Sequence, residues 1–181
     1  IVVHTAGVEH GGVPSPAEGG VHMDAFVYVG NGGDFPFKDP HEKRGPQVDP
    51  VSGMRFTRMH SGGCAFIRRP FIDGSLGTAG DPESLERGSM LSRLLGALGP
   101  AVEACVGAAR ARAARGEAAV AHIAVLCQKG RHRSDTFGGW LKAHLIRSGF
   151  SSAIRRHHLR GHLADDRPDC GCRDGRCTLI R

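Results

Sequence analysis

Ile123-Ala124-Val125-Leu126-Cys127-Gln128-Lys129-Gly130-Arg131-His132-Arg133-Ser134 is the stretch whose reading decides the fold. Its first four residues form an apolar run of strand length. A tight basic loop follows, residues 127–134. Residues 135–148 then show helical spacing, with Phe137, Trp140, Leu141 and Leu145 as the core face and Gly149 as the stop. A buried strand that passes through a short loop into a helix is the signature of an α/β fold. Backbone N–H groups at a helix start lack intrahelical partners, and the helix dipole favours negative charge there. Lys129, Arg131, His132 and Arg133 add cations, while Gln128, the Gly130 backbone and the Ser134 hydroxyl add hydrogen bonds. A phosphate-sized anion is the expected guest, because arginine can grip two phosphate oxygens at once. The bland counterpart is a solvated charged turn.

Working outward, residues 1–5 read as a short strand and residues 8–20 as a Gly- and Pro-rich loop. Residues 24–29 are a second strand, halted by Gly30-Asn31-Gly32-Gly33. From 34 to 80 the text is irregular, with turn signals at Asp39-Pro40, Gly45-Pro46 and Asp49-Pro50; a loop of that length is a functional flap or disordered. Asp81-Pro82 opens a helix with a stripe of Leu85, Leu91, Leu94, Leu95 and Leu98. Gly99-Pro100 is expected to break it, and a second helix is expected over 101–115, with Gly116 just past its end. A final strand is expected over 152–159, then a polar tail over 161–181. The expected architecture is α/β: a small mixed sheet with helices packed on it and the strand–anion loop–helix unit at its centre.

Composition is consistent with this. The chain has 181 residues, 40% of them hydrophobic, which is enough for one domain. Its net charge of +6, with 11 histidines besides, suits RNA, DNA, phosphorylated metabolites or an anionic membrane surface, or is simply a solvated basic exterior. No apolar run approaches the roughly 20 residues of a transmembrane helix, and no signal peptide is visible. The start at Ile1 rather than Met suggests a fragment or processed product, from which a targeting segment could have been lost. Six scattered cysteines do not suggest a disulfide framework, so a reducing compartment such as the cytoplasm is expected.

Residues 127–134 also spell Cys-x5-Arg-Ser, the pattern of a thiolate phosphatase. Cys127 would then be the nucleophile, with Asp34 or Asp39 as general acid. Against this, Leu126 stands where such enzymes carry His, and the loop interior is bulky. The alternative role of Cys127 is a strand-end thiol. His10 follows the first strand in a Gly-flanked turn, and the ends of that strand and the loop strand can meet in one pocket; otherwise His10 is a surface histidine. Arg155, Arg156, His157 and His158 make a basic run whose alternation puts Arg156 and His158 on one face. Such a face could extend an anion surface toward RNA phosphates, or be a solvated edge. Cys170, Cys172, Cys177 and His162 could hold a structural zinc, although Cys-x-Cys-x4-Cys is not a standard knuckle spacing.

Four segments, in order, resemble the C-terminal domain of the RapZ family of RNase adapter proteins. The family's strand–Gly-Cys-Thr-Gly-Gly-Lys/Arg-His-Arg-Ser–helix is similar to residues 124–134, and its later Arg-His-Arg to Arg156-His157-His158. Its Ser-Phe-Gly-Phe-Lys-His/Tyr-Gly-x-Pro resembles residues 5–14. Its Asp-Ala-Asp-x-Val-Phe resembles Asp24-Ala25-Phe26-Val27-Tyr28, and its Asn-Pro-x-x-Asp-Pro…Thr-Gly loop resembles residues 39–53. Departures are Gln128-Lys129 for Thr-Gly, the glycine run after the second strand, and His158 for the last Arg. An insertion over about 54–80 and the Cys-containing tail lie outside the resemblance, so residues 1–160 form the RapZ-C-like unit. The resemblance implies a non-catalytic regulatory adapter domain that binds a phosphorylated amino sugar and small RNA, in a homo-oligomer or larger complex. No membrane partner is expected.

Overall fold

The computed structural model describes residues 1–30, 46–48, 55–57, 62 and 87–157. A four-stranded, all-parallel sheet forms its centre, in the order β2-β5-β1-β6. Here β1 is Val2–Gly7, β2 Ala25–Tyr28, β5 His122–Cys127 and β6 Ala153–Arg156. Two further strands, β3 (Pro46–Val48) and β4 (Arg55–Thr57), form a separate antiparallel pair. They fall within the stretch expected to be irregular; three-residue strands are too short to leave a periodic pattern.

Burial tracks position in the sheet. The inner strands β1 and β5 are buried along nearly their whole length, whereas the edge strand β6 alternates. Inner strands of a parallel sheet read as continuous apolar runs for this reason. Both described helices, α1 (Arg87–Ala114) and α2 (Arg133–Arg147), pack on one face. Val3, Ile123, Val125 and Val27 meet Leu98 and Cys105 of α1 and Phe137, Leu141 and Leu145 of α2 there. The other face carries His4, Ala6, Ala124, Phe26 and Arg155, as the register requires.

The expected break at Gly99-Pro100 does not occur: one helix of 28 residues runs through Pro100. An internal proline costs roughly 3 kcal/mol. Leu98, Val102, Cys105 and Ala109 nevertheless lie at helical spacing across it and join the same core. Tertiary burial of that stripe outweighs the local break. The expected start at Asp81-Pro82, and the stripe positions before α1, lie outside the described residues. Helix α2 begins two residues earlier than expected, and β6 is shorter at both ends. Among the described residues, no helix is long and apolar enough to cross a membrane.

Candidate anion-binding site

The site begins where β5 ends. Gly130 holds a positive φ of 70°, which turns the loop back toward β1. A Cβ on Gly130 would lie 2.4 Å from the Gly7 nitrogen, and one on Gly7 would lie 2.3 Å from the Lys129 carbonyl carbon. Two facing glycines thus let the ends of β1 and β5 touch. The contact continues outward: Glu9 N–H donates to the Gln128 carbonyl at 3.0 Å, and Gln128 Nε2 donates to Glu9 Oε1 at 2.6 Å. Exposed His10 closes the short 3-10 turn Val8–His10 beside this junction. The two strand ends therefore meet as the sequence suggested.

Cys127 fixes the loop from inside. Its Sγ accepts Gly130 N–H at 3.2 Å, and its S–H donates to Ser134 Oγ at 3.3 Å. One thiol thus ties the strand end, the turn and the first helical turn together. Its surroundings leave it only 3% exposed.

The remaining loop residues separate by exposure. Gln128 and Lys129 are exposed and Arg131 is half-buried, while His132, Arg133 and Ser134 are buried. The His132 side chain does not cap α2, whose first turn holds Asp135. Asp135 is fully buried and accepts from Arg156 Nε at 2.5 Å. Arg156 is therefore committed to the foot of α2 from the helix side of the sheet, while Arg155 lies exposed on the other face with His157.

Gly62 was not foreseen. Its N–H donates to the Arg131 carbonyl at 2.8 Å, and its carbonyl accepts from Thr136 Oγ1 at 3.2 Å. A Cβ there would meet the His132 carbonyl oxygen at 2.3 Å, so the backbone must come this close. The insertion outside the family resemblance thus touches the loop; the Gly62-Gly63 pair was its trace in the sequence. The other missed residues, Gly7, Glu9 and Asp135, carry no motif of their own.

Asp34, Asp39, His158 and the zinc candidates Cys170, Cys172, Cys177 and His162 lie outside the described residues. Compared with known proteins, the chain matches no family model, no curated protein and no solved structure.

Proposed function

We propose that this chain is a phosphate-binding domain of the RapZ C-terminal type, which holds a phosphorylated small molecule at residues 128–134. The carrying observation is the loop itself: the carboxyl end of an inner parallel strand, folded against the neighbouring strand end, opening a helix of 15 residues with Lys129, Arg131, His132 and Arg133 in sequence. In parallel α/β sheets, ligands bind at the carboxyl ends of strands. Contact with RNA phosphates along the basic run is part of the same reading; exposed Arg155 supports it, while Arg156 already binds Asp135.

A second reading has one observation in its favour: the paired Gly130 and Ser134 contacts at the Cys127 sulfur, which suit a thiolate nucleophile of a phosphatase. The shielding of that sulfur opposes it. Titration calorimetry with a hexosamine phosphate and its unphosphorylated sugar, paired with a p-nitrophenyl phosphate assay, separates the two. The binding reading expects heat from the phosphorylated sugar alone, weakened by salt, and no turnover by the wild type or Cys127→Ser. Hydrolysis that disappears in Cys127→Ser would establish the phosphatase instead.

A further inference from the structure

Three imidazoles form a row across β5, β1 and β6 on the sheet face opposite α1 and α2. His4 Nε2 lies 3.0 Å from His122 Nδ1, and His4 Nδ1 lies 2.8 Å from His157 Nε2. Both nitrogens of His4 are therefore committed, and its side chain has no solvent exposure.

Proton counting limits what this row can hold. A neutral imidazole has one N–H and one lone pair. Three neutral rings satisfy both contacts when their N–H groups point the same way along the row. One added proton is still compatible: an end ring donates inward, or His4 donates in both directions. A second added proton is not. Any two cationic rings set N–H against N–H at one of the two contacts, with like charges added.

Among the described residues, the charged groups near the row do not relieve that conflict. Arg155 of β6 lies beside His4 on the same face. Asp24, just before β2, is the acid near His122, but it binds Arg112 of α1 and the His122 N–H. The Ile1 ammonium donates to the Ser151 carbonyl at the same edge. Burial, with His157, His122 and Arg155 adding to it, holds His4 down at about 4. Burial lowers His122 and His157 as well, Asp24 opposing at His122 and Arg155 adding at His157.

We propose that the row is an acid-operated catch on β6: neutral or singly protonated it clamps β6 to β1, and a second proton releases the strand. Every ring in the row binds protons less readily folded than unfolded. The stability it confers is complete above the unfolded value of 6.5 and is lost as pH falls toward 4. Release breaks the His157 N–H bond to the Thr5 carbonyl and withdraws Arg156 from Asp135 in the first turn of α2. The catch operates whether or not the loop holds an anion.

Amide hydrogen exchange on the full chain from pH 8 to 4.5, corrected for intrinsic rates, tests this. Below pH 6.5 the His157 and Ala153 amides are expected to open relative to those of β5, by about a hundredfold per pH unit while the clamped row is still neutral, the slope of two protons. In His157→Gln that acid opening is expected to vanish, because the new amide can turn either its carbonyl or its amino group toward His4. The proposal fails if β6 amides track β5 at every pH, if the slope nowhere exceeds one proton, or if His157→Gln opens as the wild type does.

Discussion

At the amino ends of β2 and β5, the Asp24 carboxylate has a fixed opposite in Arg112. Arg112 reaches both oxygens of Asp24 at 2.6 and 3.0 Å and also the Val120 carbonyl, while the second Asp24 oxygen takes the His122 N–H. At the carboxyl ends of β1 and β5, cations follow one another through residues 129–133; among the described residues, Glu9 binds Gln128 and Asp135 binds Arg156 there. One end is an acid satisfied by a guanidinium fork and a backbone amide, which stabilises. The other gathers cationic residues at a helix start, the arrangement on which the proposed anion binding rests. The difference teaches that the two ends of one parallel sheet carry different charge patterns: a closed acid–guanidinium pair at one, a run of cationic residues around a backbone turn at the other.

The amino end gives the largest expected effect. Burial pushes the Asp24 carboxyl up, but the Arg112 and His122 hydrogen bonds outweigh it and hold it below its ordinary value. Asp24→Ala strands the His122 N–H and half-buried Arg112, at a cost of about 3 kcal/mol in urea unfolding. Phosphate affinity is expected to stay within about twofold, since the site lies at the opposite end of the strand. Because the folded carboxyl is the stronger acid, its contribution is present above the unfolded value of 3.8 and fades as pH falls below it. The gap between wild type and variant therefore closes in that window, distinct from the higher one of the histidine row. An Asp24→Ala protein as stable as the wild type would break the contrast.

Gly130→Ala probes the carboxyl end and is expected to cost less, about 2 kcal/mol, from the left-handed backbone and the collision with Gly7. Unlike Asp24→Ala, it should also weaken phosphate binding by about tenfold or more, because the turn loses its shape. Gly139→Ala is the control: nothing lies within 4 Å of that Cβ, and α2 should gain up to about 1 kcal/mol of helix propensity. Equal effects of the two substitutions would remove the special role of the turn.

The strand–loop–helix core was legible because three signals coincide within residues 123–148: an apolar run, a basic loop and helical spacing. The meeting of the His10 turn with the loop was one of two readings the Gly-flanked turn allowed, and the Glu9–Gln128 contacts join the two strand ends. Pro100 misled because a local breaker was weighed without the stripe Leu98–Val102–Cys105–Ala109 that continues past it. Arg156 shows a different limit. Alternation separated it correctly from Arg155, but nothing local indicates that Asp135, 21 residues earlier, waits on that face. The row of His122, His4 and His157 was equally hidden, since it joins positions separated by 118 and 153 residues. Such partners emerge only from parallel register.

The most direct test of the central claim is a titration of the full chain with inorganic phosphate, followed through backbone amide NMR shifts. The account predicts saturable shifts concentrated at residues 129–134, with His10 and Gly62 affected at the margin and Asp24 and His122 unmoved. Shifts that do not saturate, or that gather at the Asp24–Arg112 end instead, would contradict it.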